Sequence, residues 1–141
     1  AEGPNAIVHD GTIYLIYSGS LVGIDYTTGL VTAPAGQDAD LTDPNVWTKL
    51  DYPLQKSGVY NGQWQLGTGH GMWSNDEDGN LIYVFHNAEY ENGRYGGRDA
   101  QVRRVHWSKE GMPILDMQAA EELNPDYADI TMKIVVSGNE G

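Results

Sequence analysis

Residues 6–18, Ala6-Ile7-Val8-His9-Asp10-Gly11-Thr12-Ile13-Tyr14-Leu15-Ile16-Tyr17-Ser18, decide the fold class. Two runs rich in β-branched and aromatic residues flank Asp10-Gly11, and that pair is a strong two-residue hairpin signal. Working outward, the device recurs. Asp78-Gly79 lies between strand-like residues 69–74 and 81–86, and Glu110-Gly111 between 100–107 and 112–117. Residues 21–26 and 30–33 read as short strands around a Thr27-Thr28-Gly29 turn, which with the first hairpin makes a four-stranded antiparallel unit. A polar loop follows at 34–45, and 47–50 and 52–54 read as edge strands interrupted by Pro53. The reading is almost all β. Four-stranded units at this spacing suggest propeller blades of roughly 40–50 residues. At that period the chain holds about three blades, fewer than the four a closed ring needs. Either the fold is a sandwich, or this is part of a larger propeller.

The texture changes near residue 118, which divides the chain into 1–117 and 118–141. In the second part 118–123 reads as a helical turn or two, Asn124-Pro125 as a break, and 130–137 as a strand. That strand either closes the fold or starts a following β-domain.

Composition narrows the function classes. The 141 residues carry 8 Lys and Arg against 20 Asp and Glu, a net charge of −12. Such a field repels phosphate backbones and anionic headgroups, so neither nucleic acid nor a membrane surface is an expected partner. No apolar run approaches the roughly 20 residues of a membrane span. The absence of Cys excludes disulfides, thiol catalysis and Cys-ligated zinc. Tyr (9) and Trp (4) outnumber Phe (1), so most aromatic rings carry a polar handle, as suits sugar-binding clefts among other surfaces.

Individual residues divide into sites and scaffolding. Glu2-Gly3-Pro4 sets a carboxylate just before the first strand, where the glycine lets a ligand approach closely; otherwise Glu2 is a solvated terminal charge. His70, between Gly67, Gly69 and Gly71, reads as either a turn histidine or a site residue. Arg98 follows Gly96-Gly97, whereas Arg94, Arg103 and Arg104 read as surface cations. Trp64 and Trp73 flank the His70 loop and offer rings to a sugar, or simply pack. Asp76, Asp78 and Gly79 fail as an EF-hand, because Phe85 stands where the bidentate Glu is required. There is no metal-ligand spacing among His9, His86 and His106, no His-Glu-x-x-His, and no nucleophile elbow or phosphate loop.

Five motifs in order resemble glycoside hydrolase family 43 across about residues 2–117. They are Glu2-Gly3-Pro4-Asn5-Ala6-Ile7 with its hairpin to Ser18; Gly67-Thr68-Gly69-His70; Asp78-Gly79-Asn80-Leu81-Ile82-Tyr83-Val84-Phe85-His86; Gly97-Arg98; and Val105-His106-Trp107 followed by Gly111-Met112-Pro113. The resemblance implies a five-bladed β-propeller, of which this chain supplies about the last three blades. It implies hydrolysis of arabinose- or xylose-containing plant polysaccharides with inversion, most readily as an α-L-arabinofuranosidase or exo-arabinanase. The alternative is a non-catalytic carbohydrate-binding or structural propeller module. Glu2 takes the family's general-acid position, and Arg98 and Trp73 are the expected substrate contacts. His70 corresponds to an axial histidine near a calcium ion or water cluster, so calcium is the one cofactor to consider. Thr68 and Gly71 depart from the family pattern there. The Asp base and the Asp modulator belong to earlier blades, making the missing N-terminal blades the expected partner beside an arabino- or xylo-oligosaccharide. This chain alone is then inactive. For localisation the resemblance allows secreted or cytoplasmic, with extracellular favoured.

Overall fold

The computed structural model describes residues 1–118. Asp10 and Gly11 both take left-handed backbone, φ 46° and 74°, as a tight hairpin turn with the twist of its strands requires. They join β1 (Glu2–His9) to β2 (Thr12–Gly19) with His9 opposite Thr12. β3 (Thr27–Pro34) and the short β4 (Thr48–Lys49) complete an antiparallel sheet in the order β1-β2-β3-β4. A second sheet contains β5 (Gly58–Tyr60), β6 (Gln63–Asn75), β7 (Leu81–Glu91) and β8 (Arg94–Arg104), also in chain order. β9 (His106–Trp107) and β10 (Pro113–Ile114) form a two-stranded ladder. The fold is all-β, and the described residues hold three sheets, two of four strands and this small hairpin, in keeping with the about three blades that length suggested.

The third sheet is small because β7 and β8 are long. Asn92-Gly93 makes another left-handed turn, φ 52° and 74°, which carries β7 and β8 well past His86. Residues 100–104 therefore pair with β7, and only His106 and Trp107 face the strand after Gly111. The Val105 N–H still donates to the Leu81 carbonyl at 3.0 Å, so β9 continues the path of β8.

Residues 27–29, expected as a turn, begin β3 instead, and 21–26, expected as a strand, are all turn and loop. Gly29 lies opposite Tyr17, and a Cβ there would run into the Tyr17 ring. The glycine is required for close approach inside a strand. The expected helical turn at 118–123, apart from Gln118, and the strand at 130–137 lie outside the described residues.

The core forms where the sheets meet. Tyr14, Ile16 and Leu30 from the first sheet pack with Trp73, Tyr83 and Phe85 from the second, and with Val105 and Leu115. In β2 the buried residues Tyr14, Ile16 and Ser18 recur every second position, as a pleated strand dictates. Polar ties cross the junction: Thr28 Oγ1 and the Tyr83 hydroxyl lie 2.7 Å apart, and the Trp73 N–H donates to Asn5 Oδ1 at 2.9 Å. Arg103 is not the surface cation its sequence context suggests. It is buried, with its guanidinium 4.1 Å from the Tyr60 ring centre, donating to the Leu115 carbonyl and to Gln65. Stacking on rings and a carbonyl partner make that burial tolerable for a charge.

Candidate active site

Glu2 opens β1, and its carboxylate accepts a hydrogen bond of 2.6 Å from the Tyr26 hydroxyl. Tyr26 comes from the loop before β3 and is 1% exposed. The same hydroxyl lies 3.3 Å from His70 Nδ1, and that nitrogen is 3.9 Å from the Glu2 carboxylate. Glu2 and His70 remain about half exposed. One acid, one phenol and one imidazole thus converge from three separate segments.

Two backbone features hold them there. His70 has φ 50°, uncommon for a residue with a Cβ, and its N–H donates to Ser18 Oγ at 2.7 Å. Neighbouring Gly69 lies flat beneath Tyr26, where a Cβ would come within 2.7 Å of the ring. Gly3, at φ 60°, lets β1 pass the His70 ring. Strained backbone held by its surroundings is common at functional sites.

Behind Tyr26 its ring stacks on His86, with centroids 5.5 Å apart and planes 20° from parallel. Both His86 nitrogens are buried without a hydrogen-bond partner. Burial, reinforced by the positive charges of Arg98 and His70, pushes the His86 imidazole below its ordinary range and keeps it neutral near pH 7. Arg98 is exposed on β8, its Nε donating to the Tyr95 hydroxyl, and its charge also acts on Glu2.

The Tyr26 hydroxyl holds the Glu2 carboxyl below the usual carboxylate range, aided by His70, the terminal ammonium and Arg98. Burial and proximity to Glu2 push Tyr26 upward, so it stays protonated and remains a donor. Burial of Glu2 works against its own lowering, and none of these leading influences on it is a carboxylate.

Of the residues singled out in the sequence, Glu2 and His70 meet, and Arg98 reaches them through its field. Trp73 does not join them. It is 7% exposed, packs against Tyr83 and donates its indole N–H to the Tyr14 carbonyl at 3.3 Å. Its ring is used in the core and offers no face to a sugar. Calcium favours six to eight oxygen ligands. Among the described residues no cluster of three or more His, Asp or Glu could hold a metal, and His70 has one carboxylate beside it. This donor set does not fit calcium by itself. Sequence reasoning missed Tyr26 and His86. Tyr26 meets its partners only through folding, and no local spacing marks it.

The sequence matches the family described as glycosyl hydrolases family 43 over residues 1–113. It is 32% identical over 132 residues to an extracellular exo-alpha-(1->5)-L-arabinofuranosidase of Streptomyces avermitilis, covering 88% of this chain and 26% of that protein. It is 36% identical over 118 residues to alpha-L-arabinofuranosidase 43 of Humicola insolens, covering 79% and 24% respectively. Its structure resembles the crystal structure of an alpha-L-arabinofuranosidase from Lactobacillus brevis, with TM-score 0.69 and 31% identity, covering 79% of this chain and 35% of that one. The chain spans about a quarter of the length of these curated relatives.

Proposed function

The chain belongs to glycosyl hydrolase family 43, and on that premise we propose that it supplies the general-acid side of an inverting glycosidase acting on arabinose- or xylose-containing polysaccharide. An α-L-arabinofuranosidase or exo-arabinanase is the favoured form. The observation that carries this reading is the convergence of Tyr26 and His70 on the Glu2 carboxylate, with Arg98 within electrostatic reach. Glu2, as the acid, protonates the departing glycosidic oxygen. Arg98 offers a planar set of donors to sugar hydroxyls.

Inversion also requires a base carboxylate roughly 6.5–9.5 Å from the acid, leaving room for the attacking water. None of the leading influences on Glu2 within the described residues is a carboxylate. We assign the base and the carboxylate that modulates the acid to propeller blades outside this chain. The reaction is one displacement: water, losing its proton to that base, bonds to the anomeric carbon as the glycosidic C–O bond breaks. The leaving oxygen takes the proton of Glu2. No step passes through calcium. An extracellular site of action agrees with the name of the Streptomyces avermitilis relative. Among the described residues no helix is long and apolar enough to cross a membrane.

The test is Glu2→Gln in the protein joined to its remaining blades. Turnover of arabino-oligosaccharides should fall roughly 10²–10⁴-fold, the usual worth of general acid–base assistance. Aryl glycosides with acidic phenol leaving groups need little protonation and should lose much less. Equal losses on both substrates would remove Glu2 from the acid role. Full activity without any upstream carboxylate would remove the assignment of the base.

A further inference from the structure

We infer that Tyr26 is the positioning residue of the acid: its hydroxyl, wedged between the Glu2 carboxylate and His70 Nδ1 over the buried face of His86, fixes both the direction and the acidity of Glu2. The inference rests on the reading of Glu2 as the acid but is tested apart from it.

The geometry carries the argument. Glu2 begins a strand, has its side chain half exposed, and has no buried wall of its own. Left alone, such a carboxylate samples several rotamers. The 2.6 Å bond from Tyr26 selects one of them. Tyr26 can impose this because it is itself fixed: 1% exposed, lying flat over Gly69 and stacked on His86. The phenol has one proton to donate, and at neutral pH Glu2 claims it. The hydroxyl oxygen in turn has the Ser18 side chain as a hydrogen-bond partner and lies 3.3 Å from His70 Nδ1.

A donor aimed at a carboxylate favours its ionised form, so the Tyr26 hydroxyl works against any rise in the Glu2 midpoint. The other groups acting on Glu2 are His70, the Ala1 ammonium and Arg98, while Ser18, Arg98 and Glu2 act on Tyr26. His86, behind the ring, responds to Arg98, His70 and Glu2.

Tyr26→Phe tests the inference, because it removes one oxygen and keeps the ring that packs on Gly69 and His86. In the protein with its remaining blades, the Glu2 carboxyl band is identified by difference infrared titration against Glu2→Gln. Its midpoint should move to higher pH in Tyr26→Phe. The alkaline limb of kcat/KM should move the same way, and turnover of substrates with poor leaving groups should drop about 10-fold, part of the roughly 10²–10⁴ a general acid supplies. Tyr26→Leu, which loses the ring as well, separates packing from the hydroxyl: it should lower thermal stability, whereas Tyr26→Phe should not. An unmoved Glu2 midpoint in Tyr26→Phe overturns the inference whatever happens to activity. If the midpoint moves but Glu2→Gln is fully active, Tyr26 still sets Glu2 and the acid assignment is what fails.

Discussion

Tyr83→Phe should destabilise the protein at neutral pH and then lose that effect in alkali. Tyr83 is fully buried where the sheets meet, and its hydroxyl pairs at 2.7 Å with Thr28 Oγ1 from the other sheet. Removing the hydroxyl leaves Thr28, 1% exposed, without this partner, at a cost of about 1–3 kcal/mol. Thr28→Val should cost a similar amount for the mirror-image reason. The double variant removes both partners and should cost much less than the two single losses together, since no polar atom is then stranded.

The pH dependence gives a second, independent magnitude. Burial pushes the Tyr83 phenol from 10.0 up to about 12. The folded protein therefore holds this proton more tightly than the unfolded chain does. The stabilisation is fully present below pH 10, the unfolded value, and is lost as pH rises toward about 12. Two pH units correspond to about 3 kcal/mol. Denaturant titrations of parent and Tyr83→Phe between pH 8 and about 12 should show their stability difference shrinking through that window and approaching zero. Other tyrosines and lysines titrate there too, but they are common to both proteins and cancel in the difference. A gap that stays constant up to the alkaline end would refute the buried, neutral phenol.

Two other perturbations separate scaffold from site. Trp73→Phe should lower stability by about 1–3 kcal/mol, through lost volume and the lost indole bond to Tyr14, while KM for oligosaccharides stays at the parent value. A raised KM with an unchanged melting temperature would return Trp73 to the substrate cleft. Arg98→Lys keeps the charge and loses the planar fork, so KM should rise about 10-fold with kcat nearly held, the cost of roughly one charged hydrogen bond. A KM unchanged in steady-state assays would leave Arg98 with only its electrostatic effect on Glu2.

What the sequence made legible follows from the range of each interaction. The hairpin at Asp10-Gly11 depends on two adjacent residues that tolerate positive φ, so it reads directly. Asn92-Gly93 has the same chemistry, yet the polar residues around it do not alternate with apolar ones, and the long β7–β8 ribbon was hidden. Gly29 reads as a turn because glycine usually relieves the backbone; its actual reason, the Tyr17 ring, lies on another strand. Arg103 follows the same rule in reverse. Its burial depends on Tyr60, Gln65, Phe85 and Leu115, none of which is adjacent in sequence. Glu2, His70 and Arg98 were visible through motifs that a family resemblance ties together. Tyr26 belongs to no such motif and emerged only from where the chain places it.

The electrostatics of Glu2 make a division of labour necessary if it is the acid. A general acid must be protonated at the working pH, which burial and a like charge achieve by raising its affinity for the proton. Every charge this chain directs at Glu2 acts the other way: the Tyr26 donor, His70, the terminal ammonium and Arg98 all favour the carboxylate. This chain's own burial of Glu2 already works upward but is outweighed, and on the proposed reading an aspartate of another blade, closing over the half-exposed Glu2, would add to that rise. Tyr26 and Arg98 thereafter oppose that rise instead of dominating it. On the proposed reading the acid's midpoint would be a balance struck across a blade boundary, with Tyr26 and Arg98 of this chain on one side and the remaining blades on the other.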